Sequence, residues 1–326
     1  MYYPYFRGRR VELLALRDLV TSGLLSPNIT PIVEPVKINS TVKRTIEAFE
    51  NDHSGKIAVV LNPEKGISSE KNSNVVWYDT LQLKGKSNVM PAFLLNEYAE
   101  NVVIDFIKRP GCVKEAKLGF ATLHSFDFFE SLQGRHLLSA LQPAVIAYPD
   151  EGGFIRGVGK VLKGANCSAK TILFRDAFHK RRINADYADN TDEFFSGDHL
   201  EYAYNGYSGF GDYSIVGETY TEGGFAPYAV AIHVVYFNER RQLRIHHFVS
   251  DSNDSYKDTA GKFGEAAEKL LKWYRNQLRP MHTKGLDMLL DYSRRNDFPG
   301  LATIKKLCIM HHLELMGRFL DKRAVR

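Results

Sequence analysis

Cysteine is scarce in this chain of 326 residues: Cys112, Cys167 and Cys308 are the only three. Their odd number and wide spacing argue against a disulfide framework. No Cys-x-x-Cys pair is present to hold a structural zinc. Long apolar runs are missing as well. None approaches the roughly 18 residues that a membrane helix requires. The opening Met-Tyr-Tyr-Pro-Tyr-Phe-Arg lacks the apolar stretch of a secretory signal. The expectation is a cytoplasmic protein with no membrane partner.

An excess of either charge is also lacking. The 43 Lys and Arg against 38 Asp and Glu leave +5, with 25% charged and 44% hydrophobic residues. Such a composition excludes a disordered or collagen-like chain. The small positive balance is unevenly placed. Residues 262–326 carry 14 Lys and Arg against 7 Asp and Glu, and the rest of the chain carries 29 against 31. Uneven charge of this kind hints at a partner for the basic part.

Nucleotide fingerprints are absent too. In Gly152–Gly164 a phosphate loop would need Gly-Lys-Ser/Thr, but Gly159-Lys160 is followed by Val161 and the position five before Gly159 is Phe154. A dinucleotide turn fails because Leu162 stands where the third glycine belongs. The stretch reads as a flexible loop leading into a strand.

What is present is an alternation of short apolar runs with amphipathic stretches. Strands are predicted at Tyr3–Gly8, Thr30–Val36, Lys56–Asn62, Met90–Leu95, Lys117–His124, Pro143–Asp150, Thr171–Ala177 and Gly211–Val216. Helices fall between them at Val11–Thr21, from a Ser40 cap through Phe49, at Glu97–Arg109 and at Phe126–Leu132. Continuous apolar strands with helical crossovers imply a parallel sheet covered on both faces. Eight such units predict an α/β fold of the (β/α)8, TIM-barrel-like type. An open doubly wound sheet is the alternative. A β-hairpin is predicted over 228–251, with Asn238–Arg241 as its turn and His233 opposite His246. Helices follow at Lys262–Gln277, Leu286–Ser293 and Leu301–Leu320. The expected division is a barrel domain over 1–261 that includes the hairpin, and a basic helical segment over 262–326 packed on it.

Functional groups of such barrels collect at strand carboxyl ends. The candidates there are Glu34, Lys37, Asn62, Asn96, Glu97, His124, Asp150, Arg175, Asp176 and Asp212. Glu34, between Val33 and Pro35, is held at a strand tip by stiff neighbours, and Lys37 could pair with it. The densest polar segment is Arg175–Asp212, a long loop whose interleaved aromatics argue against disorder. Its Asp176, Asp186 and Asp212 offer oxygen ligands to magnesium or manganese. Asn184, Arg175, Lys37 and Tyr213 are candidates for substrate contact. Paired carboxylates could instead do acid–base work, and loops ordered by Asx turns are the structural alternative. The His233/His246 pair could bind a metal, shuttle protons or simply pack. His311 and Glu314 share one helical face, which on its own makes no di-metal site.

Several segments together resemble a known family. They are Tyr3-Pro4-Tyr5-Phe6-Arg7-Gly8 with Glu12-Leu13-Leu14-Ala15-Leu16, Pro31-Ile32-Val33-Glu34-Pro35-Val36, Phe210-Gly211-Asp212-Tyr213 and His247-Phe248-Val249-Ser250-Asp251. In this order they are similar to the bacterial and phage "beta protein" family and its shorter bacterial relatives. The resemblance implies a barrel-like α/β protein of mobile elements or anti-phage defence systems, working with a partner protein encoded nearby. It carries no catalytic residues over, but it adds weight to Glu34 and Asp212. The alternatives are a metal-dependent phosphoester hydrolase, with Glu34, Asp176 and Asp212 as acidic groups, and a non-catalytic module that docks nucleic acid or protein on Lys262–Arg326.

Overall fold

The computed structural model describes residues 1–52, 55–64, 77–109, 111, 119–123, 126–220, 227–278 and 280–324. His124 and Cys112 lie outside them. The chain forms two compact units: one from 1–10, 27–175 and 198–213, the other from 11–26, 176–197 and 214–326. It is a mixed α/β protein with a parallel sheet, a three-stranded antiparallel sheet and C-terminal helices.

The first unit holds the parallel sheet. Its strands are β1 (Tyr5–Phe6), β2 (Ile32–Val33), β3 (Ile57–Val60), β4 (Val89–Leu95), β5 (Phe120–Leu123), β6 (Val145–Pro149) and β7 (Lys170–Phe174). After the short strand β8 of the other sheet (Asp192–Ser196) comes the eighth member, β9 (Gly209–Gly211). The order is β1-β2-β3-β4-β5-β6-β7-β9, every pair parallel. Parallel strands buried on both faces need apolar residues at successive positions, which is why Ile57-Ala58-Val59-Val60 shows no alternation. At the two ends of this order, Tyr3 N donates to Phe210 O (2.9 Å), Tyr5 N to Asp212 O (2.8 Å) and Phe210 N to Met1 O (3.1 Å). The eighth strand was expected at Gly211–Val216. It lies two residues earlier, where glycine lets the strand sit close to its neighbours. A Cβ on Gly211 would lie 2.6 Å from both Tyr3 O and the Phe174 ring.

One face of the sheet carries Tyr3, Tyr5, Ile32, Ala58, Val60, Ala92, Leu94, Val145, Ala147, Ile172, Phe174 and Tyr213 as a single core cluster. These are alternate residues, as the period of two demands.

Gly152–Gly164 is not a loop but a 13-residue α-helix. Phe154, Val158, Val161 and Leu162 form its buried stripe at helical spacing. Its glycines replace side chains at a close contact: a Cβ on Gly157 would fall 2.2 Å from the Phe126 ring. The helix predicted from a Ser40 cap begins at Ser40, but the cap is Asn39. Asn39 Oδ1 accepts from Thr41 N (2.9 Å) and Val42 N (3.0 Å). A further helix, Leu132–Leu141, starts at a Ser131 cap.

The second unit is built on strands β10 (Ala231–Phe237) and β11 (Leu243–Val249), with β8 as the third member in the order β10-β11-β8. The hairpin is present, but its register differs by one. Phe237 pairs with Leu243, so His233 faces His247 and not His246. The cause is the turn. Arg241 takes a left-handed conformation (φ 60°), and Asn238 N bonds Gln242 O at 3.0 Å, which adds one residue to the loop. A one-residue slip changes which side chains share a face. His246 therefore stands on the other face, 3.0 Å from Asp192. Helices Thr259–Arg275, Lys284–Arg295 and Leu301–Ala324 complete this unit together with most of the helix Arg10–Thr21. Leu301–Ala324 packs on the hairpin through Phe319 against Phe237 (4.9 Å between rings).

Candidate functional site

The site follows from strand alternation in the first unit. Continuing the core face past the carboxyl ends of β1, β2, β3 and β4 reaches Arg7, Glu34, Asn62 and Asn96. Continuing it past β9 reaches Tyr213. The apolar face of the sheet thus ends in polar side chains from neighbouring strands.

Glu34 is the hub and is fully buried. Its Oε2 accepts from the Tyr5 hydroxyl (2.9 Å) and from the Arg7 guanidinium, and its Oε1 accepts from Glu64 N (2.8 Å). Burying a carboxylate is costly unless it is paired and hydrogen-bonded, and here it is both. The Arg7 guanidinium lies over the rings of Tyr5 (5.1 Å) and Tyr213 (5.5 Å). Burial works against the charge on Arg7, but Glu34 together with Tyr5 and Tyr213 outweighs it and raises the pKa of the guanidinium. Burial and then the Glu34 charge push the Tyr5 phenol up, so it stays a donor. Tyr213 stands edge-on to Tyr5 and Phe174 at 5.4 and 5.1 Å. Gly8 allows the approach of the two chain segments. It has φ 65°, and a Cβ there would meet the Pro35 Cα at 2.9 Å.

Glu64 extends the network. Asn96 Nδ2 donates to its Oε1, while its Oε2 makes no hydrogen bond among the described residues. Asn62 ties β3 to β4 through Leu94, donating to the carbonyl (2.8 Å) and accepting from the N–H (2.9 Å). A second group stands at the carboxyl ends of β6 and β7. Arg175 binds Asp150 and Asp198, anchoring the short helix Asp198–Glu201, and burial raises the Asp198 pKa despite the arginine.

The structure therefore brings Glu34, Asn96 and Tyr213 into one network and leaves other expected residues elsewhere. Lys37 is exposed and makes no ion pair among the described residues; Arg7 takes the place expected for it. Asp212 is buried on the opposite face from Tyr213 and accepts from the Tyr2 hydroxyl at 2.6 Å. In the second unit, Asp176 accepts from Phe178 N (3.2 Å) and Glu218 N (2.9 Å), the Asx-turn arrangement. Asn184 donates to Ala229 O (2.9 Å), and Asp186 sits in the 3-10 helix Asn184–Asp189. Among the described residues, no group of three or more His, Cys, Asp or Glu is placed to hold a metal ion. His311 and Glu314 are engaged structurally: His311 bridges Thr283 Oγ1 and Val235 O, each at 2.8 Å, and Glu314 accepts from Lys284 N.

Of the basic residues in 262–326, Lys262, Lys269, Arg295, Lys306 and Arg318 are bound by acceptors within the second unit. No helix among the described residues is long and apolar enough to cross a membrane. Arg7, Tyr5 and Glu64 were not singled out from sequence. The signal for Arg7 and Tyr5 was available, because both share the parity of Tyr3 two and four residues on. Comparison with protein-family models, curated proteins and solved structures finds no match to this chain.

Proposed function

We propose that the first unit is a (β/α)8 barrel whose strand-carboxyl rim binds a small, polar, hydroxyl- or amine-bearing ligand, with Glu64 as the acid–base group. Barrel closure is supported by the backbone hydrogen bonds that join Tyr3 and Tyr5 to Phe210 and Asp212. The observation that carries the ligand site is the chain Arg7–Glu34–Glu64–Asn96, drawn from four successive strand ends. Glu34 has its acceptors engaged and serves to position. Glu64 has an oxygen to spare, and an acid–base carboxylate needs one.

Charge selects the ligand class. The network holds two carboxylates, Glu34 and Glu64, and one guanidinium, Arg7, so it is net negative. A carboxylate-rich rim attracts donors such as hydroxyls and ammonium groups and repels a bare phosphate. This favours acid–base chemistry on a hydroxylated compound over metal-assisted hydrolysis of a phosphate ester.

The resemblance to the beta protein family supports the same place. Its segments Tyr3–Gly8, Pro31–Val36 and Phe210–Tyr213 supply Tyr5, Arg7, Glu34 and Tyr213, which meet in one network. With that resemblance comes a role in a mobile element or anti-phage system beside a partner protein.

Thermal shift tests the reading. The panel sets neutral polyols, sugars and small amines against inorganic phosphate and nucleoside phosphates. Stabilisation by a member of the first class, lost in a folded Glu64→Gln variant, is the expected result. Stabilisation by the phosphates alone, undiminished in Glu64→Gln, rejects it.

A further inference from the structure

Three groups of the second unit form a chain of contacts that the rim does not involve. His233 Nδ1 lies 2.7 Å from His247 Nδ1, and His247 Nε2 lies 3.3 Å from Glu193 Oε1. Glu193 is buried, and its Oε2 faces His179 Nδ1 (3.3 Å), Arg181 Nη2 (3.2 Å) and Asn190 Nδ2 (3.3 Å). The rings of Phe178 and Tyr187 stand edge-on to His233 at 5.3 and 4.6 Å. Two elements build this arrangement. The hairpin register sets the histidines opposite each other, and the polar segment 176–197 brings Glu193, His179 and the two aromatic rings to them.

The partners fix the tautomers. An ionised carboxylate only accepts, so His247 Nε2 carries its hydrogen and Nδ1 is bare. The contact between the two Nδ1 atoms needs one donor and one acceptor, so His233 Nδ1 carries a hydrogen. His233 Nε2 then holds a free lone pair, and it has no hydrogen-bond partner among the described residues. His233 keeps partial exposure, whereas His247 is buried. The other groups around the pair are Lys305 and Cys308 of the helix Leu301–Ala324, with Arg181 and His246 towards His247. Burial and then the neighbouring His247 and Lys305 lower the pKa of His233, and burial lowers that of His247 although Glu193 opposes it, so both rings are neutral at pH 7.

We propose that Glu193, His247 and His233 form a proton-relay site in which His233 Nε2 is the base for a hydroxyl or water ligand. The ligand O–H bond breaks and its proton goes to His233 Nε2. The Nδ1 proton of His233 passes to His247 Nδ1, and the Nε2 proton of His247 passes to Glu193. The ligand oxygen is left with the electron pair as a nucleophile. Glu193 holds the proton until the leaving group of the reaction draws it back along the same relay, through His247 and His233. His247 and Glu193 are positioning residues. The proposal stands independently of the rim site, because it shares no residue with it.

The test uses the intact chain. Nitrogen-15 imidazole spectra at pH 7.5 are expected to show His233 as the Nδ1–H tautomer and His247 as the Nε2–H tautomer. Carbethoxylation by diethyl pyrocarbonate, mapped by peptide mass, reads the lone pair directly. An exposed imidazole loses about tenfold in reaction rate between pH 7.5 and 5.5, because it protonates near pH 6.5. His233 is expected to react at both pH values with little change, so its rate relative to a free histidine derivative in the same solution rises several-fold at pH 5.5. In a folded Glu193→Gln variant the His233 tautomer is expected to shift towards Nε2–H and its reaction to slow. An Nε2–H tautomer of His233 in the wild-type protein, or no reaction at His233 while His282 is modified, overturns the proposal without recourse to any variant.

Discussion

The Tyr2 hydroxyl donates to Asp212 across 2.6 Å, joining the opening residues of the chain to the end of the last parallel strand. Both residues are buried, and the Tyr2 ring stacks on Phe210 with centroids 4.9 Å apart. Tyr2→Phe keeps the ring and removes only the donor. A hydrogen bond to a charged acceptor contributes about 1.5–3 kcal/mol. Urea unfolding is expected to show a lower midpoint with an unchanged slope, and an unaltered midpoint would argue that the bond does not form in solution.

Arg7 and Glu34 offer a sharper test, because both partners are buried. Removing one member of such a pair strands the other charge, at about 3–5 kcal/mol. Arg7→Ala and Glu34→Ala are each expected to destabilise by that order. The double variant should cost clearly less than the two losses added together, because no unpaired charge remains. Strict additivity in chemical denaturation would show that the two groups act separately.

Much of this was legible in the chain itself. Ile57–Val60 and Val145–Pro149 announce buried parallel strands by their unbroken apolar runs, and Phe263, Ala266, Ala267 and Leu270 announce a helix by their spacing. Glu34 was found because a carboxylate between Val33 and Pro35 stands out. Glu64 was not, because nothing local distinguishes it; its role comes from contacts with residues about thirty positions away. The histidine pairing failed for a different reason. The left-handed Arg241 carries no glycine to signal it, and that single residue decides which histidine faces His233. The helix Gly152–Gly164 was hidden because its glycines meet Phe126, a tertiary contact that overrides low helical propensity.

Gly211 tests the account of the eighth strand. Its missing Cβ leaves room for Tyr3 O and the Phe174 ring, both of which would stand 2.6 Å from an added methyl. Backbone on one side cannot yield without disturbing the pairing of β9. Overpacking of this kind costs about 1–3 kcal/mol. Gly211→Ala is expected to lower the melting temperature by several degrees, while Gly159→Ala, where a Cβ meets nothing within 4 Å, should leave it unchanged or raise it. Equal effects at the two positions would count against the close packing of β9.

The buried histidines set the acid limit of the fold. His311 lies between the Thr283 hydroxyl and the Val235 carbonyl, and burial lowers its pKa from 6.5 to about 4. Its Nε2 carries the hydrogen given to the carbonyl, and because burial keeps the ring neutral, its Nδ1 accepts from the Thr283 hydroxyl. Burial lowers His233 and His247 in the same direction. The unfolded chain therefore binds more protons than the folded one below about pH 6.5. Stability is fully present above that pH and falls as the pH drops towards 4. Each such group steepens the fall by about 1.4 kcal/mol per pH unit. Unfolding free energies measured from pH 8 to 4 are expected to be level at first and then to decline with a slope of more than one proton. In His311→Gln the slope between pH 6 and 4.5 should decrease by about one proton, whatever the variant's stability at neutral pH. An unchanged slope would mean that His311 is already protonated in the folded protein, and the hydrogen bond from Thr283 to its Nδ1 could not then exist.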